Sequence, residues 1–332
     1  MSRPVDPRYL MMQSWLSRVL GPVEDLRPAS ADASFRRYFR ARRGRDSYII
    51  MDAPPEKEPV TAFVRIARRL SALGLHVPLI LEGDEQAGFL LLTDLGDQAY
   101  LDQLPRGNEE RLYGDALGAL ITLQVGGFGD PGFLPAFSPE LLRREMELFP
   151  EWFLGRHLGQ SLDATQRTQL ESIFQCLLQA ASEQPQVWVH RDYHSRNLMV
   201  TGSHNPGILD FQDAVVGPVT YDLVSLLKDA YITWPRARVL EWVRGFHQLA
   251  LESGTVQDED PDRFVRAFDL MGVQRHLKVA GIFARLYYRD GKARYLADIP
   301  RVLGYIQEVL PLYAELEPLA GLLATHALHV PA

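Results

Sequence analysis

A short segment in the middle of the chain contains residues that could transfer a phosphoryl group. His190, Asp192 and Asn197 follow the spacing H-x-D-x-x-x-x-N, and Asp210 ends a later apolar run. Phosphoryl transfer needs a carboxylate that orients the acceptor hydroxyl and accepts its proton, together with oxygen ligands for the magnesium ions that bridge the phosphates. These residue types predict that Asp192 is the catalytic base and that Asn197 and Asp210 bind Mg²⁺.

Short apolar runs flank these residues and predict the strands that hold them. The runs are VWVH before the loop, LMV directly after it and GILDF beyond a turn rich in Gly, Asn and Pro. Side chains on a loop between short strands are better positioned than those on a free loop. Taken singly, His190 would be an ordinary core histidine and Asp192 or Asp210 an ordinary turn residue. Their joint spacing favours a catalytic site.

The first 95 residues have the pattern of a small sheet-rich lobe. A helix over about residues 7–20 is followed by two strand candidates joined through a Gly-Arg-Asp turn. A helix with one apolar face comes next, and then two further apolar strand candidates. The predicted order is strand, strand, helix, strand, strand, over residues 35–43, 47–52, 57–73, 79–83 and 88–94.

From residue 96 onward the hydrophobic pattern is mainly helical. Helices are predicted around residues 112–123 and 170–178, the second with Asp163 as its N-cap. The run Asp258-Glu259-Asp260 is interpreted as the cap of a later helix. The pattern predicts an α+β fold in two parts: a small sheet-rich lobe over residues 1–95 and a larger helical lobe over residues 96–332 that carries the catalytic loop.

The composition excludes several other classes of protein. A net charge of −7 over 332 residues argues against a dedicated nucleic-acid binder, which usually carries a basic face. The single cysteine, Cys176, cannot form an internal disulfide. The N-terminal residues lack a signal-peptide core, and no apolar run is long enough to span a membrane. We expect a soluble cytoplasmic protein, and no protein partner is indicated.

The residues around the catalytic loop resemble a known superfamily. HRDYHSRNLMV with the later GILDFQDAVVGPVTYDL resembles the catalytic core of the aminoglycoside phosphotransferases and choline kinases, whose fold is bilobal and protein-kinase-like. Four stretches together resemble the bacterial anomeric sugar kinases of cell-wall recycling: DASFRRYFR, IIMDAPPE, LLLTDLGD and HRDYHSRN. This resemblance implies ATP-dependent phosphorylation, with Mg²⁺, of the anomeric hydroxyl of N-acetylmuramic acid and N-acetylglucosamine in peptidoglycan recycling.

The resemblance also assigns roles around the catalytic loop. It gives Asp192 the role of catalytic aspartate and Asn197 and Asp210 the role of metal ligands. It implies that Asp222 braces the loop through hydrogen bonds to the backbone, and His190 is predicted to be a further structural support.

Two further positions follow from the same resemblance. The backbone at Asp94 and Leu95 is implied to be the hinge that meets the adenine. Asp213 has no sure counterpart, and it could be either an acid behind the metal site or an ordinary turn residue.

The groups that would bind the nucleotide phosphates depart from the best-known kinase pattern. That pattern places a lysine on the third strand and a glutamate on the next helix, but SYIIMD has no lysine and residues 60–73 include no glutamate. The first hairpin also lacks the glycines of a phosphate-covering loop. We predict that Ser34 and one of Arg36 and Arg37 contact the phosphates, and that Lys57 does not replace the strand lysine. For each arginine taken singly, a solvated surface position remains an equal alternative.

The acceptor pocket is less determined by the sequence. A sugar pocket needs an aromatic platform and planar hydrogen-bonding groups, and an acidic sugar would also need an arginine. Ordinary packing or surface exposure remains an alternative for all the candidates, which are Arg144, Glu145, Trp152, Tyr193, His194, Arg196 and Gln212.

Other functions stay open at the level of sequence. A kinase for choline, homoserine, a thioribose or an aminoglycoside is a close rival, although clusters of acids for a polycationic antibiotic are missing. Only 11 residues separate Asp210 from Asp222, which leaves no room for the activation segment of a protein kinase. A non-catalytic pseudokinase that binds a ligand is the alternative from another class, since the strand lysine is missing.

Overall fold

A computed structural model of the chain describes residues 6–30, 35–130 and 132–325. Within these ranges the strands are β1 (Asp25–Ser30), β2 (Arg37–Arg43), β3 (Asp46–Asp52), β4 (Ile80–Asp84), β5 (Phe89–Thr93), β6 (Gln186–Val189), β7 (Leu198–Met199), β8 (Gly207–Ile208) and β9 (Val215–Pro218). The α-helices are α1 (Pro7–Val19), α2 (Thr61–Ala72), α3 (Tyr100–Gln103), α4 (Glu109–Gly126), α5 (Pro139–Met146), α6 (Ala164–Ser182), α7 (Tyr221–Leu227), α8 (Arg236–Glu252), α9 (Pro261–Tyr288), α10 (Ile299–Val309) and α11 (Glu317–Thr325).

The chain divides into two compact units. The first contains Met1–Gln103 and Leu198–Asp213, and the second contains Leu104–Asn197 and Ala214–Ala332. The short segment Leu198–Asp213 therefore belongs with the N-terminal residues, although the sequence pattern grouped it with the helical part.

The first unit is built on an antiparallel sheet with the strand order β1-β2-β3-β5-β4. Helix α1 packs on one face, where Trp15 and Leu16 join Phe39, Ile50 and Phe89 in a buried cluster. The predicted strands and helices of this region are confirmed within a few residues. The predicted order was wrong in one respect, because β1 precedes the first predicted strand.

The hairpin of β7 and β8 pairs with segments of the first unit. The amide of Ile208 donates to the carbonyl of His76 at 2.8 Å, and the amide of Val200 donates to the carbonyl of Gln98 at 2.8 Å. These backbone hydrogen bonds explain why the hairpin is part of the first unit.

The second unit is organised around α9, a helix of 28 residues that is buried along most of its length. Its N-cap is Asp260, as the sequence predicted, and its apolar residues share a core with α6, α10 and the π-helical segment Phe149–His157. The backbone at Leu148 approaches α9 closely, because a Cβ at Gly281 would lie 2.3 Å from the carbonyl carbon of Leu148. Glycine thus allows the end of α5 to pack against the part of α9 that carries Arg275 and Lys278.

The predicted helices of the second unit are also confirmed. Helix α4 spans Glu109–Gly126, and α6 begins at a capping box in which Asp163 and Gln166 bond each other's backbone amides. Strand β6 pairs with β9, which the sequence did not predict, and this ladder leads directly into the catalytic loop. None of the described helices is long and apolar enough to cross a membrane.

Candidate active site

The catalytic loop, residues 190–197, begins where β6 ends, and a buried carboxylate holds its first turn. Asp222, at the start of α7, accepts hydrogen bonds from the backbone amides of His190 at 2.5 Å and Arg191 at 3.0 Å. Arg191 has a φ of 78°, a left-handed conformation that is costly for a residue with a side chain. Burial raises the pKa of Asp222 to about 7, although the two amides and the charge of Arg275 favour its ionised form. Asp222 thus binds the amide of the strained residue itself and the amide of the residue before it.

Asp192 follows this turn with an accessible and charged side chain. Its side chain is 43% exposed, and Oδ1 lies 3.8 Å from a guanidinium nitrogen of Arg275 on α9. Burial by itself would raise the pKa of Asp192, but the positive charges of Lys278 and Arg275 outweigh it and lower the pKa to about 2. Asp192 is therefore a carboxylate at any physiological pH, and it is accessible enough to meet a hydroxyl group.

Two cations of α9, Arg275 and Lys278, help to hold the catalytic loop in place. Arg275 donates to the carbonyl of Arg191 at 2.8 Å, so it contacts the strained residue as well as the carboxylate beside it. Lys278 lies one helical turn further, 2.9 Å from Glu145 and 3.0 Å from the hydroxyl of Tyr221. Glu145 also accepts from the side chain of Arg191 at 2.5 Å. The loop, α5, α7 and α9 are thus joined by one network of buried charges.

The remaining loop residues are fixed by their own hydrogen bonds. The amide of Asp192 donates to Nδ1 of His190 at 3.3 Å, and the hydroxyl of Tyr193 donates to the carbonyl of Ala116 at 2.8 Å. The amide nitrogen of the Asn197 side chain donates to the carbonyl of Asp192 at 3.0 Å. This contact turns the amide oxygen of Asn197 away from the Asp192 backbone.

His194 and Arg196 surround one aromatic ring, that of Tyr231. His194 meets the ring edge-on with the centroids 5.6 Å apart, and the guanidinium carbon of Arg196 lies 3.5 Å from the ring centroid. The Nδ1 atom of His194 is buried and has no hydrogen-bond partner among the described residues. Burial lowers the pKa of His194, which favours the neutral imidazole.

Asp210 belongs to the first unit and lies two residues beyond β8. Asp210 has a left-handed φ of 63°, and its Oδ1 accepts a hydrogen bond from the side chain of Gln212 at 2.7 Å. Phe211 between them packs against Phe63 of α2 with the ring centroids 4.8 Å apart. Asn197 immediately precedes β7, and Asp210 follows the last residue of β8 by two positions.

Two of the predicted nucleotide contacts have carboxylate partners. Arg37 pairs with Asp6 and with the fully buried Asp52, whereas Arg36 lies 3.0 Å from Glu58. The two consecutive side chains therefore reach different partners. Lys57 lies over the ring of the exposed Phe35 at 4.3 Å.

The predicted hinge begins directly after β5. The side chain of Asp94 binds Arg40 at 2.6 Å and accepts from the amide of Gly96 at 3.0 Å, which fixes the backbone around Leu95. Ser34, the remaining predicted phosphate contact, lies outside the described residues.

The predicted acceptor residues on the helices differ in their surroundings. Glu145 is buried in the network with Lys278 and Arg191, and burial is outweighed by these cations, so its pKa is lowered. Trp152 packs against the hydrophobic core of the second unit, and Arg144 is exposed on α5. Glu145 and Trp152 thus have structural contacts of their own, whereas His194 and Arg196 lie on the catalytic loop itself.

The donor atoms fit a magnesium ion that is held mainly by phosphates. Among the described residues no group of three or more His, Cys, Asp and Glu side chains forms a metal cage. Mg²⁺ in kinase sites needs only one or two protein oxygens in addition to phosphates and water. An amide oxygen and a carboxylate, from Asn197 and Asp210, are a suitable set.

The sequence did not identify the contacts that Arg275 and Lys278 make from α9, or the hydrogen bonds that Asp229 accepts. Arg275 and Lys278 follow Asp192 by more than 80 residues, so only the fold brings them to the loop. Asp229 accepts from the amides of Ser195 at 2.8 Å and Tyr231 at 2.9 Å. The available signal was the presence of charged residues within the long apolar pattern of α9, since buried charges are normally paired.

Comparisons with known proteins identify the family of the chain. The sequence pattern of the phosphotransferase enzyme family matches residues 25–264. The chain is 50% identical to an N-acetylmuramate/N-acetylglucosamine kinase of Pseudomonas putida over 96% of both chains. A protein of the same name from Pseudomonas aeruginosa is 47% identical, over 96% of this chain and 97% of the relative.

A solved structure confirms the expected fold. The ADP-bound aminoglycoside phosphotransferase APH(2'')-Ib matches with a TM-score of 0.57 and 14% identity, over 91% of this chain and 98% of that chain. The α+β, protein-kinase-like fold predicted from the catalytic segment is thereby confirmed. The chain belongs to the phosphotransferase enzyme family.

Proposed function

We propose that this protein is an ATP-dependent kinase that phosphorylates the anomeric hydroxyl of N-acetylmuramic acid and N-acetylglucosamine. The observation that carries the proposal is the accessible, ionised Asp192 on a loop that Asp222 and Arg275 hold in a strained conformation. The amino-sugar substrate is supported by the relatives, which share about half of their residues with this chain along nearly its whole length.

Asp192 acts at the acceptor hydroxyl. A carboxylate with a pKa of about 2 is too weak a base to remove the proton of a sugar hydroxyl in advance. It accepts a hydrogen bond from that hydroxyl, aims its oxygen at the γ-phosphorus and takes the proton as the new O–P bond forms. The bond between the γ-phosphorus and the bridging oxygen breaks in the same step, and ADP leaves. Such late proton transfer suits a loose phosphoryl-transfer transition state, in which positioning matters more than nucleophile activation.

Asn197 and Asp210 would hold Mg²⁺ through an amide oxygen and a carboxylate oxygen. When bound, the ion would neutralise charge on the phosphates of ATP. The hydrogen bond from Gln212 to Asp210 orients this carboxylate.

ATP is bound by the first unit in this proposal. The adenine meets the backbone at Asp94 and Leu95, and the phosphates meet Ser34 and Arg36. Both arginines already pair with carboxylates, Arg36 with Glu58 and Arg37 with Asp6 and Asp52. Arg36 is the better candidate because the partner of Arg37, Asp52, is fully buried and depends on that charge. We also propose that the protein acts in the cytoplasm, where ATP is available.

The acceptor is bound beside the catalytic loop. His194, Arg196 and Gln212 are the candidate contacts beside the catalytic residues. Arg144 remains a candidate at the exposed surface of α5, while Glu145 and Trp152 would act on the pocket through the packing that they already make.

A coupled assay of ADP release tests the proposal. Purified protein with ATP and Mg²⁺ should respond to N-acetylmuramate and N-acetylglucosamine, and far less to choline, homoserine or kanamycin. Nucleotide binding without turnover on any acceptor would instead support a pseudokinase, and a preference for kanamycin or choline would refute the amino-sugar assignment.

A further inference from the structure

Arg196 is a charged residue of the catalytic loop that the transfer chemistry does not use. Its neighbours Arg191 and Arg275 are paired with Glu145 at 2.5 Å and with Asp192 at 3.8 Å. Arg196 forms no ion pair with any carboxylate in the described ranges and is in contact with aromatic rings instead. A half-buried guanidinium without a counter-charge, one residue before Asn197, needs an explanation.

The surroundings hold this guanidinium in a fixed place. Its carbon lies 3.5 Å from the centroid of Tyr231 and 6.0 Å from that of Tyr295. Tyr231 is itself packed against the hydrophobic core and meets Phe283 with the centroids 6.1 Å apart. Asp229 connects the catalytic loop to the backbone at Tyr231, because one of its carboxylate oxygens accepts from the amide of Ser195 and the other from the amide of Tyr231.

A stacked guanidinium suits recognition of a planar anion. Its face is covered by the ring, while its edge carries parallel N–H donors whose spacing matches the two oxygens of a carboxylate. The arginine is thus oriented before a ligand arrives, which lowers the entropy cost of binding.

We propose that Arg196 binds the carboxylate of the acidic amino sugar and so favours N-acetylmuramate over N-acetylglucosamine. This inference rests on the proposed function. N-Acetylmuramate carries a lactyl ether with a carboxylate on C3 of the sugar ring, and N-acetylglucosamine has a hydroxyl there. Asp192 meets the hydroxyl on C1, and Arg196, four residues later on the same loop, meets the substituent on C3.

The substitution Arg196→Met tests this role, because methionine can still pack on Tyr231 but has no charge. Loss of a charge-assisted contact should reduce the ratio of kcat/KM for N-acetylmuramate to kcat/KM for N-acetylglucosamine by about 10- to 150-fold. Arg196→Lys keeps the charge without the paired donors and should give an intermediate ratio. Arg244→Met, at an exposed position on α8, is the matched control and should leave the ratio unchanged.

A second measurement uses the unaltered protein and does not depend on the folding of a variant. The methyl ester of N-acetylmuramate is larger by one methyl group and has no charge, and its KM should exceed that of the free acid by about tenfold or more. Equal KM values for acid and ester, or an equal loss on both sugars in Arg196→Met, would overturn the inference. Inactivity of the unaltered protein on both sugars would refute the proposed function itself, and this inference with it.

Discussion

At the scale of single residues, the two proposed metal ligands differ in charge. Asp210 would bring a negative charge to Mg²⁺, whereas Asn197 would bring a neutral amide oxygen, and hard cations prefer charged oxygen ligands. Asn197→Ala and Asp210→Ala should both raise the Mg²⁺ concentration needed for half-maximal activity, with the larger increase in Asp210→Ala. A magnesium titration at saturating ATP measures this, and an unchanged half-saturation in Asp210→Ala would exclude it as a ligand.

The arginines of the first hairpin allow a second test at this scale. Arg36→Ala should raise the KM for ATP by roughly 10- to 150-fold, the equivalent of about 1.5–3 kcal/mol for a charge-assisted contact. Arg37→Ala should instead lower the melting temperature, because it leaves the buried Asp52 with Arg8 as its remaining cation. Lys57→Ala is the control and should change neither quantity.

These outcomes can be told apart by measuring KM and melting temperature on the same preparations. A large rise in KM for ATP in Lys57→Ala, with normal values in both arginine variants, would show that the phosphate site has been assigned to the wrong residues.

At the scale of elements, α9 acts on the reaction through the charge of its Arg275. The pKa of Asp192 is lowered to about 2 against the effect of burial, and Lys278 and Arg275 are the main causes. Ionised Asp192 is the active form, so activity that depends on it is lost only as the pH falls towards 2. In Arg275→Met the pKa of Asp192 should rise by about 1–3 units. In a plot of kcat/KM against pH, the fall in activity on the acidic side (the acidic limb) should then move to higher pH.

The pH profile separates this role from a purely structural one. Damage to the loop alone would lower kcat/KM at every pH without moving the limb, and that result would contradict the account. Arg275→Lys, which keeps the charge, should restore the limb towards low pH. Arg289→Met, at the exposed C-terminal end of the same helix, should leave the limb in place.

The elements themselves were largely predictable from local sequence. Asp163 and Asp260 are helix caps that the sequence identified, and the apolar runs around Asp192 do form strands. Strand β1 was missed because it contains Pro28, which cannot donate to a ladder and is tolerated there because β1 lies at the edge of the sheet. A local pattern with proline at its centre does not indicate a strand.

The candidate site was predictable only in part. Asp192 and Asn197 lie five residues apart on one loop, so their spacing in the sequence was enough to propose their roles. The contacts of Arg275 with the loop and of Arg37 with Asp6 depend on long-range pairing, which spacing does not show. The lobe boundary at residue 95 stays a prediction, and the inclusion of β7 and β8 in the first unit depends on hydrogen bonds such as that from Ile208 to His76.

At the scale of the whole molecule, a second buried network joins the helices of the second unit. Asp269, which is fully buried on α9, binds Lys228 at 3.1 Å and Arg236 at 2.6 Å and accepts from the hydroxyl of Tyr313 at 2.9 Å. Asp269→Ala would leave the buried Lys228 and the half-buried Arg236 with the more distant carboxylate of Glu308. It should reduce the free energy of unfolding by about 3 kcal/mol, the lower end of the range for a broken buried ion pair. Urea denaturation measures the loss. The exposed Asp262→Ala is the control, and equal stability of the two variants would show that the network is not needed.

The central claim is that Asp192 directs transfer of the γ-phosphoryl group of ATP to the anomeric hydroxyl of an amino sugar. The most direct measurement is the ³¹P NMR spectrum of N-acetylmuramate incubated with ATP, Mg²⁺ and the protein, recorded in parallel for Asp192→Asn. The unaltered protein should give a new sugar phosphate signal coupled to the anomeric proton, and Asp192→Asn should give no such signal even though it still binds ATP. Near-normal product formation by Asp192→Asn, or a phosphate on any other oxygen, would contradict the account.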